Sequence, residues 1–144
     1  MEYAESKNLT AYEVVIIASM IEEEVLVPKE RPLVAAVIYN RLKQGMRLQI
    51  DATVQYAYLL KTGRYKNPLT TDDYKLSSPY NTYQIDGIPP APIASPGLAS
   101  IKAALNPANV DYLYYVLIKP NGEHGFARTY EEFLRLKQQA QRSR

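Results

Sequence analysis

Thr10-Ala-Tyr-Glu-Val-Val-Ile-Ile-Ala-Ser-Met-Ile-Glu-Glu-Glu24 is the stretch that decides how this chain folds. Thr10 and Glu13 have capping-box spacing, so the stretch predicts a helix over 10–24. Between cap and acids, Val14 to Ile21 sends apolar side chains in almost every direction at about 100° per residue. Such a helix is buried on most sides. Glu22, Glu23 and Glu24 end it where the helix dipole disfavours negative charge. Apolar neighbours, mutual repulsion and the dipole each push a carboxyl pKa upward. One reading is a core helix whose last turn reaches water with three solvated acids. The other is a carboxylic acid kept protonated near neutral pH, the state that general acid catalysis needs.

Further helices follow outward. Residues 30–44 carry Pro32 in the first turn, apolar residues at helical spacing and Gly45 as the stop. Asp51 is read as the cap of a third helix from Thr53 to Lys61, ended by Gly63. A short helical turn follows Thr70 or Thr71. Ser95-Pro96 predicts a cap and first residue for a helix through Leu105. Strand signals come late, at 112–118 and, after the turn Pro120-Asn121-Gly122, at 123–127. Residues 83–85 are expected to add a short third strand. Thr129 and Glu132 form a second capping box, opening a helix through about Gln141. Helices, a small antiparallel sheet and a final helix make the class α+β.

A chain of 144 residues with 47% hydrophobic and 22% charged content reads as one soluble globular domain. The net charge of +2 comes largely from the tail after Lys137, which gives nucleic-acid binding no support. Having no cysteine excludes disulfides and thiolate metal sites, and a single histidine argues against a histidine-built metal site. No apolar run approaches a membrane span of about 18 residues, and the first residues do not read as a signal peptide. Thirteen tyrosines stand against two phenylalanines and no tryptophan. Rings with hydroxyls suit a groove for polyhydroxylated ligands, and equally a partly wet core.

Two loops are too specific to be plain connectors. In Gly45-Met-Arg-Leu-Gln-Ile-Asp51, Gln49 and Asp51 alternate and share a side if the backbone is extended. The second loop runs from Ser78-Pro-Tyr-Asn-Thr-Tyr83 through Gly87 to Gly97. It holds five of the ten prolines, which stiffen it. Tyr80, Asn81 and Tyr83 supply the rings and amide that sugar recognition uses; a structural loop would explain the prolines alone.

Taken in order, several pieces resemble the catalytic domain of the YceG-like (MltG) endolytic murein transglycosylases. They are Ala18-Ser19-x-x-Glu22-x-Glu24, Val37-Ile-Tyr-Asn-Arg-Leu42, Gly45-Met-Arg-Leu-Gln-x-Asp51-x-Thr53-Val54, Ser78-Pro-Tyr-Asn-Thr-Tyr83, Gly87-Ile-Pro-Pro-x-Pro-Ile-Ala94 with Pro96-Gly97, Lys102-Ala-Ala-x-x-Pro107-Ala, and Asp111-Tyr-Leu-Tyr114. Helical spacing does not choose between Glu22 and Glu24, since both have apolar neighbours. The resemblance implies that Glu24 is the catalytic acid; Glu22, Gln49, Asp51, Tyr80, Asn81 and Tyr83 are expected to bind substrate beside it. Glu23, Val25, Ile50, Ala52 and Ala91 depart from the family pattern without removing a proposed catalytic group. His124 and Phe126 match a late His-x-Phe; a lone histidine on a hairpin is read first as structural.

The resemblance further implies a lysozyme-like helical catalytic domain filling residues 1–144, cut from a longer, membrane-anchored protein of the cell envelope. Its reaction would cleave the β-1,4 bond between N-acetylmuramic acid and N-acetylglucosamine, leaving a 1,6-anhydro end. No metal or organic cofactor would be needed. Partners would be peptidoglycan glycan strands and, by the same resemblance, peptidoglycan synthases of the penicillin-binding class. Two rivals remain: a lysozyme-like hydrolase using Asp51 or Asp86 as a second carboxylate, and a non-catalytic glycan-binding module.

Overall fold

A computed structural model describes residues 9–142 of the chain. Helix α1 spans Ala11–Glu24, α2 Arg31–Gln44, α3 Asp51–Thr62 and α4 Leu98–Leu105; strands β1 (Tyr114–Leu117) and β2 (His124–Ala127) precede α5, Tyr130–Arg142. Short 3-10 turns cover Pro28–Glu30 and Thr71–Lys75. None of the described helices is long and apolar enough to cross a membrane.

α1 is the axis of the fold. Its capping box forms in full, with Thr10 Oγ1 accepting from the Glu13 N–H at 3.1 Å and Glu13 Oε1 from the Thr10 N–H at 2.9 Å. Ile17, Ala18, Met20 and Ile21 are wholly buried. Fully burying each of the larger ones contributes roughly 2–3 kcal/mol, which outweighs the modest helix propensity of β-branched residues. Ser19, polar in the middle of this surface, donates to the Ile16 carbonyl and accepts the Ile93 N–H at 3.0 Å. The proline-rich loop is thereby fastened to the central helix. Ala103 and Ala104 let α4 approach α1 closely, and the Tyr39 hydroxyl of α2 donates to the Ala104 carbonyl at 2.7 Å.

α2 and α3 end at Gly45 (φ 71°) and Gly63 (φ 75°), left-handed positions that glycine enters without a Cβ penalty. The two strands pair antiparallel, Tyr115 opposite Phe126 and Leu117 opposite His124. α5 covers the hairpin's outer face, where Tyr114 stacks on Phe133 with ring centroids 5.3 Å apart. A Cβ on Gly125 would sit 3.1 Å from a Leu136 methyl, so the helix packs closely over this glycine and a larger residue would need Leu136 to shift by a few tenths of an ångström.

The class is α+β, as the sequence pattern implies. Several local expectations are corrected. Residues 83–85 are turns, not a third strand, because the Gln84 and Ile85 N–H groups both turn back to the Asn81 carbonyl. α3 starts at Asp51 with Ile50 at its N-cap, so Asp51 is no cap. Its start is held by Thr82, whose Oγ1 accepts the Ile50 N–H at 2.8 Å and lies 2.8 Å from the Thr53 hydroxyl. α4 begins at Leu98 with Gly97 as the N-cap, and neither Ser95 nor Pro96 belongs to it. The first strand is confined to Tyr114–Leu117.

Candidate active site

A cavity of about 570 Å³ opens where the end of α1, the start of α3, the 3-10 turn Thr71–Lys75 and the hairpin meet. Glu24, the last residue of α1, contributes its carboxyl. Protein surrounds that group except toward the cavity, and its pKa is raised to about 7. Burial is the largest cause and the charge of Asp51 the next; the Tyr115 hydroxyl and the Ala52 N–H, donors near the carboxyl, pull the other way. Glu23, the exposed acid beside it, adds a smaller upward push. The neighbouring charge that matters is thus Asp51, 27 positions along the chain, and not Glu22.

Glu22 points elsewhere. Two residues along a helix is a rotation of about 200°. Its Oε1 accepts the Gly97 N–H at 2.8 Å and the Ser100 hydroxyl at 2.9 Å, and these bonds hold its pKa below the usual carboxylate value. Glu22 is therefore the cap that α4 lacks in its own sequence, favourably placed at a helix N-terminus. It does not line the Glu24 cavity.

Asp51 does line it, and both its oxygens are occupied. Tyr83 donates to Oδ1 at 2.6 Å and Tyr74 to Oδ2 at 3.2 Å, the two rings meeting edge to face at 4.5 Å. Burial and the charge of Asp51 raise both phenols, Tyr74 to about 12, so each remains a donor. Gln49 also reaches the cavity, though not by lying on an extended strand beside Asp51. Its φ of 52° is left-handed, and its N–H donates to the Thr82 carbonyl at 3.2 Å. Asp86 stays outside, largely exposed and paired with Arg47 at 3.3 Å.

The expected sugar-binding trio separates. Tyr83 lines the cavity. Asn81 is wholly buried: its amide donates to the Tyr74 and Leu76 carbonyls at 3.1 and 2.8 Å, and its carbonyl oxygen accepts the Tyr83 N–H at 2.9 Å. With its amide capacity spent on loop backbone, Asn81 shapes the loop from within. Tyr80 packs edge to face on Tyr56 and borders a different, shallower groove with Leu60 and Pro79.

The opposite wall holds Arg41 and Tyr115, which sequence reasoning missed, and His124, which it read first as structural. Arg41 is nearly buried beside the cavity with no carboxylate partner among the described residues; its guanidinium donates to the Leu113, Arg47 and Leu48 carbonyls and lies over the Tyr114 ring. It staples α2 to the loop before α3 and to the hairpin. Tyr115 and His124 come from adjacent strands, and the turn beyond β1 closes on Leu26, just past Glu24. At Gly122 (φ 97°) a Cβ would fall 2.7 Å from the Leu26 Cβ. Tyr115 and Tyr74 carried no signal beyond a strand pattern and a helical turn. The tyrosine surplus is shared out: Tyr39 in the core, Tyr74, Tyr83 and Tyr115 at the cavity, Tyr112, Tyr114 and Tyr130 around the hairpin and α5.

Chemically, the cavity offers one carboxyl able to hold a proton near neutrality, facing a second carboxylate locked by two phenols. Comparison with known proteins fits that geometry. The chain matches the YceG-like family over residues 1–139. It is 42% identical over 131 residues to the endolytic murein transglycosylase of Bacillus subtilis (strain 168), covering 91% of this chain and 35% of that protein. Identity is 38% over 130 residues to the endolytic murein transglycosylase of Streptococcus pneumoniae serotype 2 (strain D39 / NCTC 7466), covering 88% of this chain and 23% of that one. The crystal structure of a yceG-like protein from Listeria monocytogenes superposes with a TM-score of 0.84 at 38% identity, over 94% of this chain and 43% of the other. The chain thus spans about a third or less of the length of the curated relatives it matches.

Proposed function

This chain belongs to the YceG-like family, and we propose that it is the single catalytic domain of an endolytic peptidoglycan lytic transglycosylase, with Glu24 as its acid and base. The observation that carries the proposal is the Glu24 carboxyl in the cavity, held protonated to about pH 7 by burial and by Asp51. Protonated Glu24 donates to the glycosidic oxygen between N-acetylmuramic acid and N-acetylglucosamine as the C1–O bond breaks. The carboxylate so formed takes the proton of the muramyl C6 hydroxyl while that oxygen bonds to C1. The products are a 1,6-anhydro end and a free hydroxyl on the leaving sugar, with Glu24 protonated again. No water is consumed and one carboxyl suffices.

The state of Asp51 supports this over hydrolysis by two carboxylates. Both its oxygens already accept phenolic hydroxyls, which suits a fixed charge tuning Glu24 better than a base activating water. Gln49 and Tyr83 are the substrate contacts within reach of the acid. Glycan strands are the substrate, the cell envelope the site of action, and peptidoglycan synthases the partners that the family resemblance suggests.

Mass spectrometry of fragments released from purified peptidoglycan tests the reading. Transglycosylation gives 1,6-anhydro ends. Reducing ends would establish a muramidase, and glycan binding without any release a binding module.

A further inference from the structure

Strand residues two apart share a face, so Tyr115 and Leu117 lie beside His124 and Phe126 on the inner side of the hairpin. Tyr115 and His124 are diagonal neighbours there, their rings edge to face at 5.3 Å and 83°. The sheet alone does not hold His124. Glu30, 3% exposed at the end of the 3-10 turn, accepts the His124 backbone N–H on Oε2 at 2.9 Å, and its Oε1 lies 2.8 Å from Nδ1. A carboxylate facing Nδ1 puts the ring proton there and fixes the ring's orientation. Burying a carboxylate this deeply is unfavourable without a strong partner, and a hairpin of two four-residue strands has no evident need of it.

On the reading of Glu24 as the acid, we propose that His124, anchored by Glu30, is a positioning residue that buttresses Tyr115 so that its hydroxyl stays toward the Glu24 carboxyl in the cavity that all three line. Glu24 and Glu30 sit on one short segment, six positions apart, so the segment that presents the acid also grips the facing wall. The Tyr115 phenol is raised well above its ordinary value by burial and by Glu24, and it remains a donor. From this wall it can donate to the Glu24 carboxyl, as the Ala52 N–H does from α3. After transfer, the same donor stabilises the carboxylate. Other ionisable groups face Glu24 as well: Asp51 from α3, Glu23 from its own helix, and Tyr65, Tyr74 and Tyr83 from the loops. Neither the hydrogen bonds nor the ring contacts of His124 involve any of these five groups.

The test combines a 13C titration of Glu24 with the pH profile of cleavage, in single and double variants. Tyr115→Phe removes a hydroxyl that favours the ionised acid. The Glu24 midpoint and the alkaline limb should then rise by about half a pH unit, with kcat down about tenfold and KM little changed. His124→Ala should do the same, and the double variant should go no further than Tyr115→Phe, because both act along one path. If His124→Ala does not fold, His124→Asn, which keeps a donor for Glu30 but loses the ring, carries the same readouts. Midpoint and limb unmoved in the His124 variant, or shifts that add in full, would overturn the proposal. An active Glu24→Gln protein is a separate outcome: it removes the acid itself, whatever His124 does.

Discussion

At the end of α1 two carboxylates part company. Glu22 meets the start of α4, where a backbone N–H and a hydroxyl converge on it and hold it ionised. Glu24 meets a buried wall and the charge of Asp51, and holds its proton to about pH 7. They share a helix, a residue type and apolar neighbours in sequence. What separates them is a rotation of about 200° and the elements that rotation faces. One acid stabilises the fold. The other destabilises it, which is the usual condition of a group kept for chemistry.

The contrast can be broken most sharply by swapping acids for amides. Glu24→Gln should abolish cleavage, a loss on the order of 10²–10⁴ for a general acid, while the protein stays folded. It should also be the more stable protein at alkaline pH. Because Glu24 binds its proton more tightly folded than unfolded, wild type loses stability as pH rises from about 4.5 to about 7. The loss reaches roughly 3 kcal/mol above that window, and chemical denaturation at pH 4 and pH 8 measures it. The same change between the two pH values in wild type and Glu24→Gln would mean that Glu24 is not strained.

Next in size is Asn81→Ala. The substitution leaves the Tyr74 and Leu76 carbonyls and the Tyr83 N–H without their buried partner, a loss of about 2–4 kcal/mol. A thermal melt checks it; an unchanged Tm with weakened glycan binding would return Asn81 to the substrate groove. Asp51→Asn is subtler. Without that charge the Glu24 pKa falls, so the alkaline limb of the activity profile moves to lower pH and cleavage at pH 7 drops about fivefold. A limb that stays put would leave Asp51 a contact only.

Smallest is Glu22→Ala, which removes the cap from α4. Stability should fall by about 1 kcal/mol in denaturant unfolding, with cleavage within about twofold of wild type. Because the folded pKa of Glu22 is depressed, its contribution is present above the unfolded value near 4.5 and fades as pH falls through the folded one. Loss of activity in a folded Glu22→Ala protein would erase the division of labour.

Local signals carried the frame. Thr10 with Glu13, Gly45 and Gly63 state their roles within four residues of where they act, and the apolar run of α1 declares its own burial. Groups joined across the chain were opaque. Glu22 reaches Gly97 and Ser100, Thr82 reaches Ile50, and Glu30 reaches His124 94 positions away. Asn81 misled because an amide beside tyrosines suits a sugar groove and a buried turn equally; only the surrounding carbonyls decide. Gln49 and Asp51 do meet at one cavity, but through a left-handed residue and a helix start that no alternation encodes.

The central claim is that this cavity keeps one particular carboxyl protonated near neutrality. Selective 13C labelling of glutamate, with Glu24 assigned by comparison with Glu24→Gln, reads that carboxyl directly across pH 3–9. The expected result is a Glu24 midpoint near 7, with Glu22 titrating below 4.5 in the same sample. Both midpoints falling together near 4.5 would contradict it.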